Sequence, residues 1–279
     1  MKPKWIVTKY GHDDFLNKIG YALQDAGLEV EIMPLKEVYE EIIYKPNKQS
    51  GCVVFLGPTC TTVAIARARP NWVTGTYHNP ETYKCSNYYS MAGEFLTQKS
   101  YAFYPLGEVY RLMETLYQNF GINDELFIRP DYGEKIFTGA VVKKELFHCF
   151  MAMNELDHVP HNTLCVVSQP QTIDREYRLV IHRGKVIAGS MYREKGHIEY
   201  ANIDGSEDRA RLVEMAEVIA LKLEEFPPVY VMDLAPSGKE TTLMEVGCVN
   251  CAGFYEAKLE PIIRAVSEEA ETEYNEIYE

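Results

Sequence analysis

The sequence predicts a fold of class α/β plus α+β, with an open-sheet α/β domain at the N-terminus and β-rich lobes after it. As far as about residue 100, strand and helix patterns alternate with short links, which is the order of a parallel sheet covered by helices. After Gly121 β-type segments predominate, and two of them form a hairpin. We therefore predict an N-terminal domain over 1–121, a first lobe over about 122–168 and a second lobe over about 169–279.

Composition narrows the class of protein. The chain has 279 residues and a formal net charge of −13, which argues against a surface that coats nucleic acid, since that needs clustered Lys and Arg. No apolar run is long enough to span a membrane, and the N-terminus turns polar early, so we expect a cytoplasmic protein. The 7 cysteines, an odd number, predict reduced thiols. Only Cys248 and Cys251 have C-x-x-C spacing, and a zinc or redox site there is a distant alternative.

Periodicity predicts the elements of the N-terminal domain in turn. They are strand 5–8, helix 13–26, strand 28–33, helix 35–43, strand 52–56 and, after a stretch rich in Tyr, Asn and Ser, helix 105–120. Gly57-Pro58-Thr59 lies at the carboxyl end of a strand, where open sheets present loops to ligands. A plain turn is the simpler interpretation, because Gly-Lys-Ser/Thr is missing.

The later residues are predicted to form strands and helices around a glycine loop. The order is a strand from 126, the loop, strand 140–142, a helix to 153, strand 164–168, hairpin strands 176–182 and 185–193, helix 207–225, strands 229–235 and 241–246, and a helix from about 257. Four segments within this part suggest chemistry.

The first segment is the glycine loop, FIRPDYGEKIFTGAVV, over 127–142. Arg129 ends its first strand, and Lys135 lies between Gly133 and Gly139. Glycines let backbone N–H groups approach a phosphate, and two cations neutralise its oxygens. A surface hairpin with ordinary charges is an alternative for this segment alone.

The second segment, over 164–181, joins an apolar strand to a strand with charged side chains. The first strand ends at Ser168-Gln169, where backbone donors and acceptors can meet a flat heterocycle. Glu176 and Arg178 share one face of the next strand. Glu176 could hold a ribose hydroxyl and Arg178 a phosphate, and a solvent-facing ion pair fits equally well.

The third and fourth segments indicate a metal site. Asp233 interrupts an apolar strand, and Glu245 lies near the end of the strand that follows. Carboxylates are costly to bury unless they are paired or bound to metal, and Mg²⁺ takes oxygen ligands; exposure at strand ends is the alternative. Asn250, in the loop GCVNCAGFY, either completes the metal shell or is a turn asparagine.

In this order the four segments resemble the ATP-grasp fold, over about residues 1–265. That family has a pre-grasp α/β domain and two α+β lobes that clamp ATP between sheets. The resemblance is greatest to a divergent bacterial and viral subfamily, in which arginine occupies the usual position of the first phosphate-binding lysine. Arg129, followed by Pro130, matches that feature.

The resemblance implies a role for each residue. ATP would contact Arg129, Lys135, Thr138 and Gly139 with its phosphates, Ser168 and Gln169 with its adenine, and Glu176 with its ribose, while Asp233 and Glu245 would bind Mg²⁺. The family's asparagine after the metal glutamate is Gly247 here, so Asn250 is expected to replace it. The arginine before the metal aspartate is Val231 here, so Arg178 or Arg193 is expected to supply the transition-state cation.

The implied activity is ATP- and Mg²⁺-dependent joining of a carboxylate to an amine through an acylphosphate. The substrates would be small molecules, peptides or proteins, and no oligomeric state is indicated. A phosphotransferase and a non-catalytic ATP sensor on the same fold are alternatives. Acceptor specificity is expected in the N-terminal domain and its stretch with Tyr77, Tyr83, Tyr88 and Tyr89, where His78 is either a substrate contact or a packing histidine.

Overall fold

The computed structural model describes residues 1–9, 14–45, 50–68, 71–131, 136–238 and 240–278. The described residues form three β-sheets with helices packed around them. The strands are β1 Lys4–Lys9, β2 Glu29–Pro34, β3 Ser50–Leu56, β4 Asn71–Gly75, β5 Tyr101–Pro105, β6 Glu125–Pro130, β7 Ala140–Lys143, β8 Leu164–Ser168, β9 Arg175–His182, β10 Lys185–Glu194, β11 His197–Asn202, β12 Val229–Ser237 and β13 Glu240–Cys248. The helices are α1 Asp14–Asp25, α2 Leu35–Val38 (continued by the π-helical turn Tyr39–Ile43), α3 Thr59–Ala68, α4 Cys85–Ala92, α5 Leu106–Arg111, α6 Met113–Phe120, α7 Phe147–Met153, α8 Arg209–Ala220 and α9 Leu259–Tyr278.

The first sheet is parallel, in the order β2-β1-β3-β4. The apolar run Cys52–Leu56 forms most of its interior strand β3, and every side chain of that run is buried. A strand of a parallel sheet is covered on both faces, which explains why this run is continuous rather than alternating. The predicted open-sheet α/β domain is thus confirmed.

The second sheet is antiparallel, in the order β5-β8-β6-β7. Helices α5, α6 and α7 pack on it through a core that includes Leu116, Phe147 and Val167. Strand β5 lies ahead of the predicted domain boundary after residue 121, yet it pairs with β8. By strand pairing, the middle lobe therefore begins at β5 and includes α5 and α6. The predicted helix 105–120 is interrupted between these two at Leu112, whose ψ of 10° departs from helical geometry.

The third sheet is also antiparallel, in the order β11-β10-β9-β12-β13. Strands β9 and β10 form the predicted hairpin, and its turn residues Arg183 and Gly184 have φ of 46° and 76°. Positive φ at both central residues is the requirement of a tight type I′ hairpin turn. Opposite residues across β9, β12 and β13 project from one face, and this face carries the candidate site described below.

Helix α9 returns from the third sheet to cover the first. Trp5 donates its indole N–H to the Ser267 hydroxyl at 3.1 Å, and the Cys52 thiol donates to the Ala270 carbonyl at 3.3 Å. The last lobe is therefore fastened to the N-terminal domain. Within the described ranges, none of the helices has both the length and the apolarity needed to cross a membrane.

Shortening Ile263 on α9 should destabilise the protein. Ile263 is 2% exposed in the core that α9 shares with the first and third sheets, so Ile263→Ala should lower the free energy of unfolding by about 3 kcal/mol in urea titrations. Ile277→Ala on the same helix, where the side chain is 63% exposed, is the control and should change it by less than about 0.5 kcal/mol. Equal effects of the two substitutions would contradict this packing of α9.

Candidate active site

Three neighbouring strands of the third sheet place charged side chains side by side. Asp233 on β12 lies opposite Arg178 on β9 and opposite Glu245 on β13. Directly opposite residues of antiparallel strands share a face, so we call these three residues the charged row. The Asp233 side chain is 5% exposed and that of Glu245 is 37% exposed, so the row runs from a buried carboxylate to a partly open one.

Arg178 is fixed by a carboxylate and two aromatic rings. Its Nε and Nη2 donate to the two carboxylate oxygens of Asp233, each at 2.8 Å, which is the bidentate geometry that orients a guanidinium. Its guanidinium carbon lies 5.6 Å from the ring centre of Tyr192 and 5.5 Å from that of Tyr255. Burial alone would lower the pKa of Arg178, but the charge and hydrogen bonds of Asp233 raise that pKa well above its usual value. A permanent positive charge is therefore held in the row.

Arg129 reaches the charged row from the second sheet. Its Nη2 donates to Glu245 Oε1 at 3.0 Å, and its Nη1 donates to the carbonyl of Met244 at 3.3 Å. The Arg129 side chain is 12% exposed. Two guanidiniums, one from each sheet, thus each pair with one carboxylate of the row.

The segment after β6 passes against Arg129 at a glycine. A Cβ atom on Gly139 would lie 2.9 Å from Cβ of Arg129 and 3.3 Å from the ring of Phe127, so a larger residue would push the segment away. Thr138 and Gly139 are exposed and line the cleft beside Arg129. Lys135, the predicted cation of this loop, lies outside the described residues.

A cleft of about 410 Å³ lies between the second sheet and the third. Phe127, Phe137, Ile173 and Met244 give it apolar walls, and the two carboxylates of the charged row line it too. The cleft also contains Glu176, which is 8% exposed and accepts a hydrogen bond from Arg193 at 3.3 Å. A concave site with apolar walls and a few convergent charges is typical of small-molecule binding.

Ser168 is the last residue of β8, and Gln169 follows it. The Ser168 hydroxyl is buried and donates to the Gln169 carbonyl at 3.3 Å. The Gln169 N–H donates to the Ser100 carbonyl at 3.4 Å. Neither residue is among the described lining of the cleft, so their assignment to adenine stays a prediction.

Asn250 is not brought to the charged row. Its side chain donates to the Phe55 carbonyl at 2.6 Å and accepts from the Tyr77 N–H at 2.8 Å. Both ends of the amide therefore fasten the turn after β13 to the N-terminal domain, and its contacts do not support the expected metal-ligand role. Among the described residues, Cys248 and Cys251 form no cluster of three or more metal-type side chains either.

The two positions that differ from the family pattern face each other. Val231 on β12 lies opposite Gly247 on β13, two residues from Asp233 and from Glu245 respectively. The resemblance implies an arginine and an asparagine at these positions. This chain instead has the short apolar side chain of Val231 opposite Gly247, which has no side chain. Of the two candidate cations, Arg178 lies in the charged row, whereas Arg193 pairs with Glu176 farther along the cleft.

Tyr192 is a site residue that sequence reasoning missed. Its hydroxyl donates to Asp233 Oδ2 at 3.3 Å. A β-bulge between Met191 and Arg193 breaks the alternation of β10 and re-aims this side chain, and no pattern in the sequence marks the bulge. Phe127, by contrast, shares a face of β6 with Arg129 at a period of two, a signal that identifies it as a lining residue.

Comparisons with known proteins identify the family of this chain. Residues 111–265, more than half of the chain, match the family model described as ATP-grasp domain, R2K clade family 2. No curated protein sequence matches the chain.

Solved structures show a similar fold at low sequence identity. The D-cycloserine synthetase DcsG has a TM-score of 0.63 and 12% identity, covering 95% of this chain and 99% of that one. The D-alanine–D-alanine ligase from Bacillus anthracis has a TM-score of 0.59 and 11% identity, with coverages of 99% and 96%. The ATP-grasp ligase PsnB, complexed with minimal precursor, Mg and ADP, has a TM-score of 0.52 and 11% identity, with coverages of 96% and 98%. By its family match, the chain belongs to R2K clade family 2 of the ATP-grasp proteins.

Proposed function

We propose that this protein is an ATP- and Mg²⁺-dependent carboxylate–amine ligase that forms an amide or peptide-like bond through an acylphosphate. The observation that carries the proposal is the charged row beside a cleft between two sheets, with Arg129 facing it from the opposite sheet. Cations and carboxylates converge there as phosphoryl transfer from ATP requires.

The cleft between the sheets fits a nucleoside triphosphate. Phe127, Phe137 and Ile173 supply apolar contact for a base, and Glu176 supplies an acceptor for a ribose hydroxyl. Arg129 and the backbone at Gly139 lie together where phosphates would need charge and N–H donors. The resemblance adds Lys135 to these phosphate contacts, and Arg129 takes the place of the usual first lysine.

The two carboxylates of the charged row fit Mg²⁺ by their chemistry. Asp233 and Glu245 project from one face of adjacent strands, and carboxylate oxygens are the donors that this ion prefers. When bound, the ion would neutralise charge on the triphosphate. The similar ligase PsnB is complexed with Mg and ADP, which supports the binding of Mg²⁺ together with a nucleotide here.

The chain itself contributes position and charge. A carboxylate attacking the terminal phosphate needs in-line placement and neutralisation of the negative charge that develops. Arg178 holds a fixed positive charge in the charged row, so we assign it, rather than Arg193, to the role of the family arginine missing at Val231. Two of the similar structures are a synthetase and a ligase, which favours a ligase over a phosphotransferase.

Hydroxylamine trapping tests this function. Hydroxylamine is a small, strong nucleophile that reacts with an acylphosphate in place of the natural amine, so the amine need not be identified first. We expect hydroxamate, ADP and phosphate to form from ATP, Mg²⁺ and the correct acid. The panel of acids comprises amino acids, small dicarboxylates and peptides.

A melting experiment tests nucleotide binding by itself. Mg-ATP at about 100 times its dissociation constant should stabilise the fold by about 2.7 kcal/mol.

Other outcomes identify the alternatives. ADP formed with a stable phosphorylated alcohol and no hydroxamate would show a phosphotransferase. Firm binding of ATP without turnover across the whole panel would favour the sensor, in which the short Val231–Gly247 pair has removed catalytic groups. The absence of any stabilisation by Mg-ATP would refute nucleotide binding itself.

A further inference from the structure

Residues 85–97, which we call the linking segment, lie between β4 and β5 in the chain. The segment consists of helix α4, the short 3₁₀ turn Gly93–Phe95 and the two residues after that turn. Hydrogen bonds fasten each of its ends to a different lobe. Each attachment lies two residues from one member of the ion pair between Arg129 and Glu245, which joins the second sheet to the third.

Asp131 caps the first turn of α4, although Ser86 in that turn is 45 residues away in the sequence. Its Oδ1 accepts a hydrogen bond from the Ser86 N–H at 2.6 Å, and its Oδ2 accepts one from the Ser86 hydroxyl at 2.9 Å. The Asp131 carbonyl accepts from the Cys85 N–H at 2.8 Å. Lys84, at the N-cap position, makes no capping hydrogen bond with its side chain. Asp131 therefore satisfies two N–H groups at the start of the helix, where the helix dipole favours its negative charge.

This cap also fixes the end of β6. Asp131 is 4% exposed, and its N–H donates to the Leu164 carbonyl of β8 at 2.9 Å. A buried carboxylate is costly without partners, so its bonds to α4 hold it in one place. Asp131 follows Arg129 by two residues, a distance of at most about 7 Å along extended chain. The cap therefore holds the backbone that carries Arg129 against α4.

The other end of the linking segment is fastened to β13. Thr97 donates its N–H to the Leu243 carbonyl at 2.8 Å, and its hydroxyl lies 2.9 Å from that of Thr242. Both threonines are buried. Leu243 precedes Glu245 by two residues on the same strand. The linking segment thus connects the backbone beside Arg129 with the backbone beside its carboxylate partner.

We infer that Asp131 is a positioning residue for Arg129: by capping α4 it sets where the Arg129 guanidinium lies between the two sheets. The inference rests on the proposed function, because it concerns the cation assigned to the phosphates of ATP. Asp131 is not among the described residues that line the cleft, so it acts through the backbone. A binding group is effective only when residues around it hold it in the productive geometry.

Asp131→Ala tests the inference, with Asp208→Ala as its matched control. Asp208 is a similarly buried aspartate, 3% exposed, at the N-cap position of α8, and it too is absent from the described lining of the cleft. Calorimetric titration with a non-hydrolysable ATP analogue and Mg²⁺ would measure the affinity of each variant. We expect Asp131→Ala to weaken binding about tenfold, and Asp208→Ala to bind as wild type does.

Two milder variants separate positioning from a general loss of stability. Asp131→Asn keeps an acceptor oxygen for the Ser86 N–H and can donate to the Ser86 hydroxyl, so it should recover most of the affinity. Ser86→Ala removes only the hydroxyl bond, at an exposed residue. It should therefore remain folded and weaken binding about threefold, which keeps the test valid if Asp131→Ala does not fold.

Hydrogen exchange in the ligand-free protein tests the positioning without a nucleotide. In Asp131→Ala the amide hydrogens of α4 and of β6 should exchange at least about tenfold faster, whereas those of β9 and β12 should keep their wild-type rates. A change confined to α4 would show that Asp131 merely caps a helix, and would refute the inference.

The titrations provide the remaining outcomes. Wild-type affinity in Asp131→Ala, or in Ser86→Ala if the first variant does not fold, would overturn the inference, as would an equal loss in Asp208→Ala. If wild type itself binds no analogue, the proposed function fails, and the exchange rates of β6 still decide whether Asp131 positions Arg129.

Discussion

Replacing Glu245 by glutamine should lower the rate of ATP-dependent hydroxamate formation by at least about a hundredfold. The amide keeps the shape of the side chain and can still accept the hydrogen bond from Arg129. It loses the negative charge that would hold Mg²⁺, and a neutral amide is a poor ligand for that ion. The Glu245 side chain is 37% exposed, so removing its charge beside Arg129 should cost less stability than removing a buried partner, and a melting experiment would confirm that the variant is folded at the assay temperature.

The control for this substitution is Glu240→Gln. Glu240 lies on the same strand, β13, and is exposed away from the cleft lining, so its variant should turn over at the wild-type rate. Both variants would be assayed for ADP and hydroxamate at saturating ATP. Wild-type activity in Glu245→Gln would show that the metal site lies elsewhere.

Replacing Asp233 by asparagine should cause the largest loss of stability at the site, about 3 kcal/mol in the free energy of unfolding. The Asp233 side chain is 5% exposed; it accepts two hydrogen bonds from the Arg178 guanidinium and neutralises its charge. The substitution leaves a buried cation without its counter-charge, which costs more than the ion pair itself is worth. Urea titrations of the ligand-free protein would measure the loss.

Two companion variants identify the cause of that loss. Adding Arg178→Met to the Asp233→Asn variant removes the unpaired charge and should recover most of the stability. Asp204→Asn also removes an aspartate that pairs with cations, Arg209 and Lys258, but at an exposed position, and it should change stability little. If Asp233→Asn melted like wild type, the ion pair would not be a stabilising part of the charged row.

Strand periodicity carried enough information to predict much of the site. Asp233 and Glu245 each stand out because an acid in an apolar strand needs a partner, and the structure places them opposite each other. Arg129 is visible as the cation next to a glycine loop. The expectation that Glu176 and Arg178 share a face also follows from a period of two. In the structure Glu176 lines the cleft between the second and third sheets, whereas Arg178 is not among the described residues that line it.

The rest depends on contacts between distant segments. Asn250 lies close enough in sequence to Glu245 to suggest a shared metal shell, but its amide is used by Phe55 and Tyr77, and only the packing of two domains reveals this. The stretch with Tyr88 and Tyr89 shows no period because both rings are buried in a core shared by several elements. Its helix α4 is consequently invisible to a search for amphipathic faces.

The pairing of both carboxylates with arginines makes metal and nucleotide binding thermodynamically linked. A divalent cation that enters alone must displace Arg178 from Asp233 or Arg129 from Glu245, which leaves a guanidinium without a counter-charge. A triphosphate that arrives with the cation gives the displaced guanidiniums new anionic partners. Each ligand should therefore increase the affinity of the other by the same factor, and the free cation should bind weakly. The ion pairs thus neutralise the site in the ligand-free protein, and the two ligands together replace them.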